Sequence, residues 1–400
     1  MATRSGGEAD EDAAASQRSG RNLVVLCDGT GNELGRNLSN VLKLFRVATK
    51  SHRQLCYYSP GVGTISRISP WARLRQKALE ILGLITGYGL DDNVLGAYRF
   101  LVANRRPGDR IFLFGFSRGA WTVRVLAGML HLIGLLKPEQ DNMADAALGT
   151  YKRAAADNDL PLAWHFSRVI GARAVQVHFM GCWDTVASMI VPRPDRFYLP
   201  SLETLPYTRK NPSVACFRHA IAIDERRRMF RLADWEQPQP FVPNPYQPDK
   251  ATEQDCLQMA FAGVHSDIGG GYPETESALS KIPLVWMIEQ AQAQGLLTSK
   301  AMFNHLIHGK ARKGSSHQYV APDPAGPMHQ SLSGAWWALE YLPKRAKYRE
   351  WPGEQLAGWY LPAGEPRKLP PAAQIHPSVA LRRAAGIGYD PINLSPPTGV

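Results

Sequence analysis

The chain has 400 residues, 44% of them hydrophobic, and its 46 lysines and arginines against 35 acidic residues give a net charge of +11. No stretch approaches the roughly 18 uninterrupted apolar residues of a membrane span. Five scattered cysteines without CxxC spacing (Cys27, Cys56, Cys182, Cys216, Cys256) argue against a disulfide framework and against a zinc site; no metal or cofactor is expected.

In chain order, residues 1–20 are small, polar and acidic, and read as a disordered tail without a secretory signal. That places the expected location in the cytoplasm, with export by a specialised secretion system left open. "NLVVLCD" from residue 22 is a short apolar run closing on "GTGN", a buried strand stopped by a glycine turn. "NVLKLFRVA" has helical spacing, "QLCYYSPGVGT" reads as a second strand and loop, "LDDNVLGAYRFLVANR" as a helix, and "DRIFLFGFS" as a third strand. "RGAWTVRVLAGMLHLIGLL" then predicts a helix running to Lys137 and Pro138. Strand patterns return in "AVQVHFMGCWDTVAS" and "CLQMAFAGVHSDIGGGY". Alternating strands and helices imply an α/β fold with a mostly parallel central sheet and helices on both faces. One domain is expected over residues 21–400, with proline-rich insertions at about 191–212 and 237–248 as candidate lids and a C-terminal annex from about 335.

Gly115-Phe116-Ser117-Arg118-Gly119 fits G-x-S-x-G, and it lies between a strand and a helix, the context that motif requires. A serine hydroxyl needs a base to take its proton and a third group to orient the base. In the α/β-hydrolase order the acid comes next, then the histidine. Asp184 ends a strand 67 residues after Ser117, and His265 ends another 81 residues later. His219 competes as base; His131 lies in a helix and His178 in a strand, where packed side chains are commoner. Asp267, two residues past His265, and Asp224 compete as acid. For the oxyanion, the amide of Arg118 follows the nucleophile, and Gly29 or Thr30 offers the second donor. Asp28 would brace that loop. The same "DGTGN" lacks the aspartate that a haloacid-dehalogenase phosphatase carries two positions before, where Leu26 stands, and "GVGT" at 61–64 has no phosphate-loop lysine.

Eight stretches in order, "LCDGTGN", "SNVLKLF", "YYSPGVGT", "GLDDNVLGAYRFL", "GDRIFLFGFSRGAWTVRVLAG", "CWDTVAS", "HAIAIDERRRMF" and "FAGVHSDIGGGYPE", resemble a family of bacterial and fungal α/β hydrolases that includes phospholipase effectors of the type VI secretion system. The likeness runs from about residue 22 to 289 and returns at 375–383. It implies the α/β-hydrolase fold, hydrolysis of lipid carboxyl esters, Ser117 as nucleophile, and Asp184 and His265 as its partners. Many members carry tryptophan after DGT, where this chain has Gly31. The partners implied are a lipid or other ester and, from the positive charge, the periphery of an anionic membrane; the +11 charge has no nucleic-acid motif behind it. The alternative is a non-catalytic hydrolase scaffold that binds lipid or a protein partner. Oligomeric state is not legible.

Overall fold

A computed structural model describes residues 20–29, 37–61, 89–157, 159–186, 190–192, 200–202, 205–243 and 247–394. The expected tail at 1–20 falls almost wholly outside them, as does Thr30. Seven strands form one sheet: β1 (Asn22–Cys27), β2 (Gln54–Ser59), β3 (Arg110–Phe116), β4 (Val177–Trp183), β5 (Val214–Ala222), β6 (Asp255–Phe261) and β7 (Gln374–Ile375). Their order is β7-β6-β5-β4-β3-β1-β2, and every neighbouring pair is parallel.

Every residue of β1 is buried, as a parallel strand covered on both faces requires. Its side chains alternate between two cores. Leu23, Val25 and Cys27 join Ile111 and Leu113 under α2 (Leu90–Asn104), α3 (Arg118–Leu132), α4 (Ala144–Ala156) and α5 (Leu160–Ile170). Val24 and Leu26 join Phe112, Phe114 and Phe116 under α1 (Asn40–Val47), α7 (Lys281–Ala293) and α8 (Lys300–Leu306). Ser39 caps α1 by accepting from the Leu42 amide at 3.1 Å.

The helix after Ser117 ends at Leu132, short of Lys137, because Gly134 turns to φ +88° and Leu135 bridges to Arg173. Strand β5 was hidden: the sequence around His219 looks like a polar cluster, yet seven of the nine residues from Val214 to Ala222 bury as a continuous run up to Ala222. The insertion at 191–212 includes a short antiparallel pair, Ile190–Pro192 with Pro200–Leu202; 193–199 and 203–204 lie outside the described residues. At 237–248, Pro240–Phe241 pairs with Thr252–Glu253. The C-terminal annex contains α9 (Ala335–Glu340), β7 and α10 (Pro377–Ala384). It is built into the main body: Val379 and Tyr389 pack against Ile221, Ile223, Ala260 and Ala262. No helix among the described residues is long and apolar enough to cross a membrane.

Between β1 and β3 the chain reverses its direction of progress through the sheet. In open parallel sheets, the crevice at the carboxyl ends of the strands flanking such a switch is where ligands bind. Asp28 follows β1 there and Ser117 follows β3.

Candidate active site

Ser117 sits on the sharp turn from β3 into α3, at φ 58° and ψ −121°, a conformation that non-glycine residues seldom adopt. Such a residue stores of order 1–3 kcal/mol and persists only where its surroundings over-determine it. The two glycines of the motif do so. A Cβ added at Gly115 would lie 2.3 Å from the Gly119 carbonyl oxygen, and one at Gly119 would lie 2.1 Å from that of Cys27. The start of α3 therefore presses directly on the end of β1, and Ser117 is lifted between them, its own amide bonded to the Trp183 carbonyl at 3.1 Å.

His265 opens the short helix α6 (His265–Gly269) after β6. Its Nε2 lies 2.8 Å from Ser117 Oγ and its Nδ1 lies 2.5 Å from Asp184 Oδ2. Phe116 and Phe230 flank the imidazole, with ring centroids at 4.7 and 4.9 Å. Burial pushes the His265 pKa below its ordinary value, and the Asp184 carboxylate opposes that shift. The imidazole Nδ1 faces the Asp184 carboxylate and its Nε2 the Ser117 hydroxyl.

Asp184 follows β4 with φ 35° and is fully buried. Burial alone would raise its pKa, but the Arg367 guanidinium, with His265, outweighs it and holds the carboxyl well below the usual carboxylate range. Arg367 NH1 donates to Oδ1 at 2.5 Å and NH2 to Oδ2 at 3.2 Å, while the Ala222 amide donates to Oδ1 at 2.9 Å. The same two nitrogens also donate to the Ala222 and Phe230 carbonyls at 3.2 and 2.6 Å. Every lone pair of this buried carboxylate thus faces a donor or a cation, as a buried charge demands.

The other candidates fall elsewhere. Asp267 faces away from His265: it accepts from the Val264 amide at 3.1 Å and meets His329 Nδ1 at 2.7 Å, so it shapes the histidine loop. Asp224 accepts from the Gly263 amide at 2.6 Å and the Tyr389 hydroxyl at 2.9 Å. His219 lies beneath the site, where its Nε2 accepts from the Thr185 amide at 3.2 Å; burial, with Arg124 nearby, brings its pKa down to about 3. It holds the residue after Asp184. His131 pairs with Ser213 Oγ at 2.6 Å, and His178 with the Gln294 carbonyl at 2.9 Å.

Asp28 accepts from the Gly29 amide at 2.7 Å, from Tyr58 at 2.8 Å and from Ser39 Oγ, which anchors the β1 loop. That bond commits the Gly29 N–H to Asp28 and away from a free oxyanion position. The Arg118 amide stands at the first position of α3, where the helix dipole is positive.

Two residues were not singled out by the sequence. Glu225 is buried and accepts from the His265 amide at 3.2 Å, from Arg227 Nε at 2.9 Å and from Ser331 Oγ at 2.8 Å. A carboxylate within "DERRRMF" was its only signal. Arg367 had none, lying in a proline-rich stretch without period.

A parallel sheet with a serine on a strained strand-to-helix turn, met by a histidine and an aspartate from later strand ends, defines the α/β-hydrolase fold. Residues 21–290, about two thirds of the chain, match the family model described as "T6SS, Phospholipase effector Tle1-like, catalytic domain", and the chain belongs to that family. The uncharacterized protein YEL023C of Saccharomyces cerevisiae is 33% identical over 253 residues, which are 60% of this chain and 36% of that protein. This chain thus spans little more than a third of that relative's length. Among solved structures, an uncharacterized protein from Pseudomonas aeruginosa is 17% identical, with a TM-score of 0.39 over 74% of this chain and 50% of its own. The Tle1 effector bound to the VgrG spike of the Type 6 secretion system is 20% identical, with a TM-score of 0.31 over 65% of this chain and 53% of its own. Thermogutta terrifontis esterase 2 is 13% identical, with a TM-score of 0.35 over 70% and 87%.

Proposed function

We propose that the chain is a serine hydrolase of carboxylic esters whose substrates are phospholipids or other lipid esters. The observation that carries this reading is the file of side chains Ser117, His265 and Asp184, linked at 2.8 and 2.5 Å. Ser117 Oγ attacks the acyl carbon as its proton passes to His265 Nε2. The oxyanion that forms is met by the Arg118 amide at the start of α3. Collapse breaks the C–O bond to the alcohol, which leaves with the proton from Nε2, and Ser117 keeps the acyl group. Water then attacks the acyl carbon, giving its proton to His265, and the acid and free Ser117 are released. Asp184, kept ionised by Arg367, holds Nδ1–H and stabilises the imidazolium that forms twice in the cycle.

A cleft of about 740 Å³ has Trp121 of α3 among its walls, with Leu205, Leu232 and Leu369 beside the charged Arg209, Arg231 and Lys368. The family's effector members support the lipid class of substrate, and export by a secretion apparatus belongs to the same proposal. Convergence of the three side chains counts against the non-catalytic scaffold.

Labelling with a fluorophosphonate probe tests the reading without a choice of substrate. Wild type should label, and Ser117→Ala and His265→Ala should not. A folded wild type that fails to label removes the reading.

A further inference from the structure

Half of the large hydrophobic side chains exposed among the described residues lie within residues 337–361. This stretch starts in α9 and continues into a short antiparallel hairpin, in which Lys344 faces Tyr360 and Arg345 faces Trp359. Directly opposed residues share a face of the pleat, and successive residues alternate. The inner face is fixed by Tyr360, which is buried, accepts from Arg228 Nε at 2.7 Å and donates to Glu365 at 2.9 Å. The outer face therefore carries Trp359, Leu361 and Arg345, whose guanidinium lies 4.3 Å over the Trp359 ring. The Ala363 amide bonds to the Glu340 carbonyl at 3.2 Å, so the end of α9 lies next to the segment that follows the hairpin's second strand. There Leu342 and the stacked pair Trp337 and Tyr341, ring centroids 6.0 Å apart, are also exposed.

Aromatic rings with polar tips beside cations are the chemistry of the lipid–water interface. Arg345 and Lys347 pair with no described carboxylate. The neighbouring acid, Glu350, is held instead by Arg228 and Arg231 at 2.8 and 2.9 Å. The patch also adjoins the site. Trp336 of α9 packs edge-on against Phe230 at 5.4 Å, and Phe230 packs on His265 at 4.9 Å.

We propose that the outer face of this hairpin, with the end of α9, docks the protein on an anionic bilayer and presents lipid esters to Ser117. The occupant rests on the ester-hydrolase reading; the surface rests on residues outside the triad. The test uses the full chain carrying Ser117→Ala, so that binding is read without turnover, on vesicles of phosphatidylcholine with or without phosphatidylglycerol. Binding should require phosphatidylglycerol and weaken with salt. Trp359→Ala with Leu361→Ser, and separately Arg345→Glu with Lys347→Glu, should each lower the partition coefficient by about tenfold or more. With Ser117 intact, both pairs should cleave a soluble short-chain ester at the wild-type rate, which also shows that they fold. Equal binding by the folded variants, or no binding by the folded parent to either vesicle, overturns the proposal. Surface-dependent binding in a protein whose wild type cleaves no ester would instead remove the hydrolase reading and keep the docking face.

Discussion

Arg367 lies across the carboxylate of Asp184 at 2.5 and 3.2 Å, although 183 residues separate them in the chain. The pair is buried on both sides. Removing one partner of a buried ion pair costs about 3–5 kcal/mol, because the other charge is stranded. Arg367→Met should therefore lower the unfolding free energy measured by urea titration by an amount of that order and reduce kcat, with the fluorophosphonate rate falling in parallel. Unchanged stability would show that the pair contributes nothing net.

Asp184 also sets an acid limit. Its folded pKa is depressed, so it contributes stability that is present above the unfolded value of about 3.9 and is lost as pH falls from there toward the folded value. Arg367→Met should move the acid-unfolding midpoint to higher pH, as followed by near-UV circular dichroism. A midpoint identical to wild type would contradict this.

On the proposed mechanism, His265 sets the acid limb of the pH–rate profile. Because burial lowers its pKa below the ordinary value of about 6.5, kcat/KM on a soluble ester should rise with pH through a midpoint below that value and stay level above it. An acid limb centred at or above the ordinary histidine value would assign the titration to another group.

His219 and Asp267 separate support from catalysis. His219→Ala leaves the buried Thr185 amide without its acceptor, a loss of about 1–3 kcal/mol. Asp267→Asn weakens the histidine loop through its bonds to Val264 and His329. Both variants should still label with fluorophosphonate and keep the acid limb of the wild type. Abolished labelling in a folded His219→Ala protein would reopen the choice of base.

Gly119→Ala would drive a methyl group into the Cys27 carbonyl. Backbone cannot yield as a side chain can, so the cost should reach about 1–3 kcal/mol or more. Turnover should fall further than stability does, since the turn that raises Ser117 moves first. Wild-type kcat in this variant would refute the account of the motif.

Ser117, Asp184 and His265 were legible because each ends an apolar run, and a parallel sheet brings the carboxyl ends of its strands to one edge. Strand β5 was hidden because Arg218 and His219 interrupt its apolar pattern. Both side chains are satisfied in place: Arg218 by Asp255 at 2.8 Å, His219 by the Thr185 amide. Helices α4 and α5 were missed between clearer signals. The early stop of α3 depends on a pairing between Leu135 and Arg173 that no local pattern announces. Arg367 was beyond reach for the same reason: its role comes from a partner far away in sequence, in a segment whose prolines suppress any period.

A ribosome delivers this protein from its amino terminus, and the order of delivery matters to the Asp184 pair. By the time β1 to β6 have emerged, Ser117, Asp184 and His265 are all in hand, yet the cation that lets Asp184 enter the interior is still about a hundred residues from release. Until Arg367 arrives, burial of that aspartate has no cation to offset it, so the Ser117–His265–Asp184 file is completed only when the segment carrying Arg367 closes over the acid.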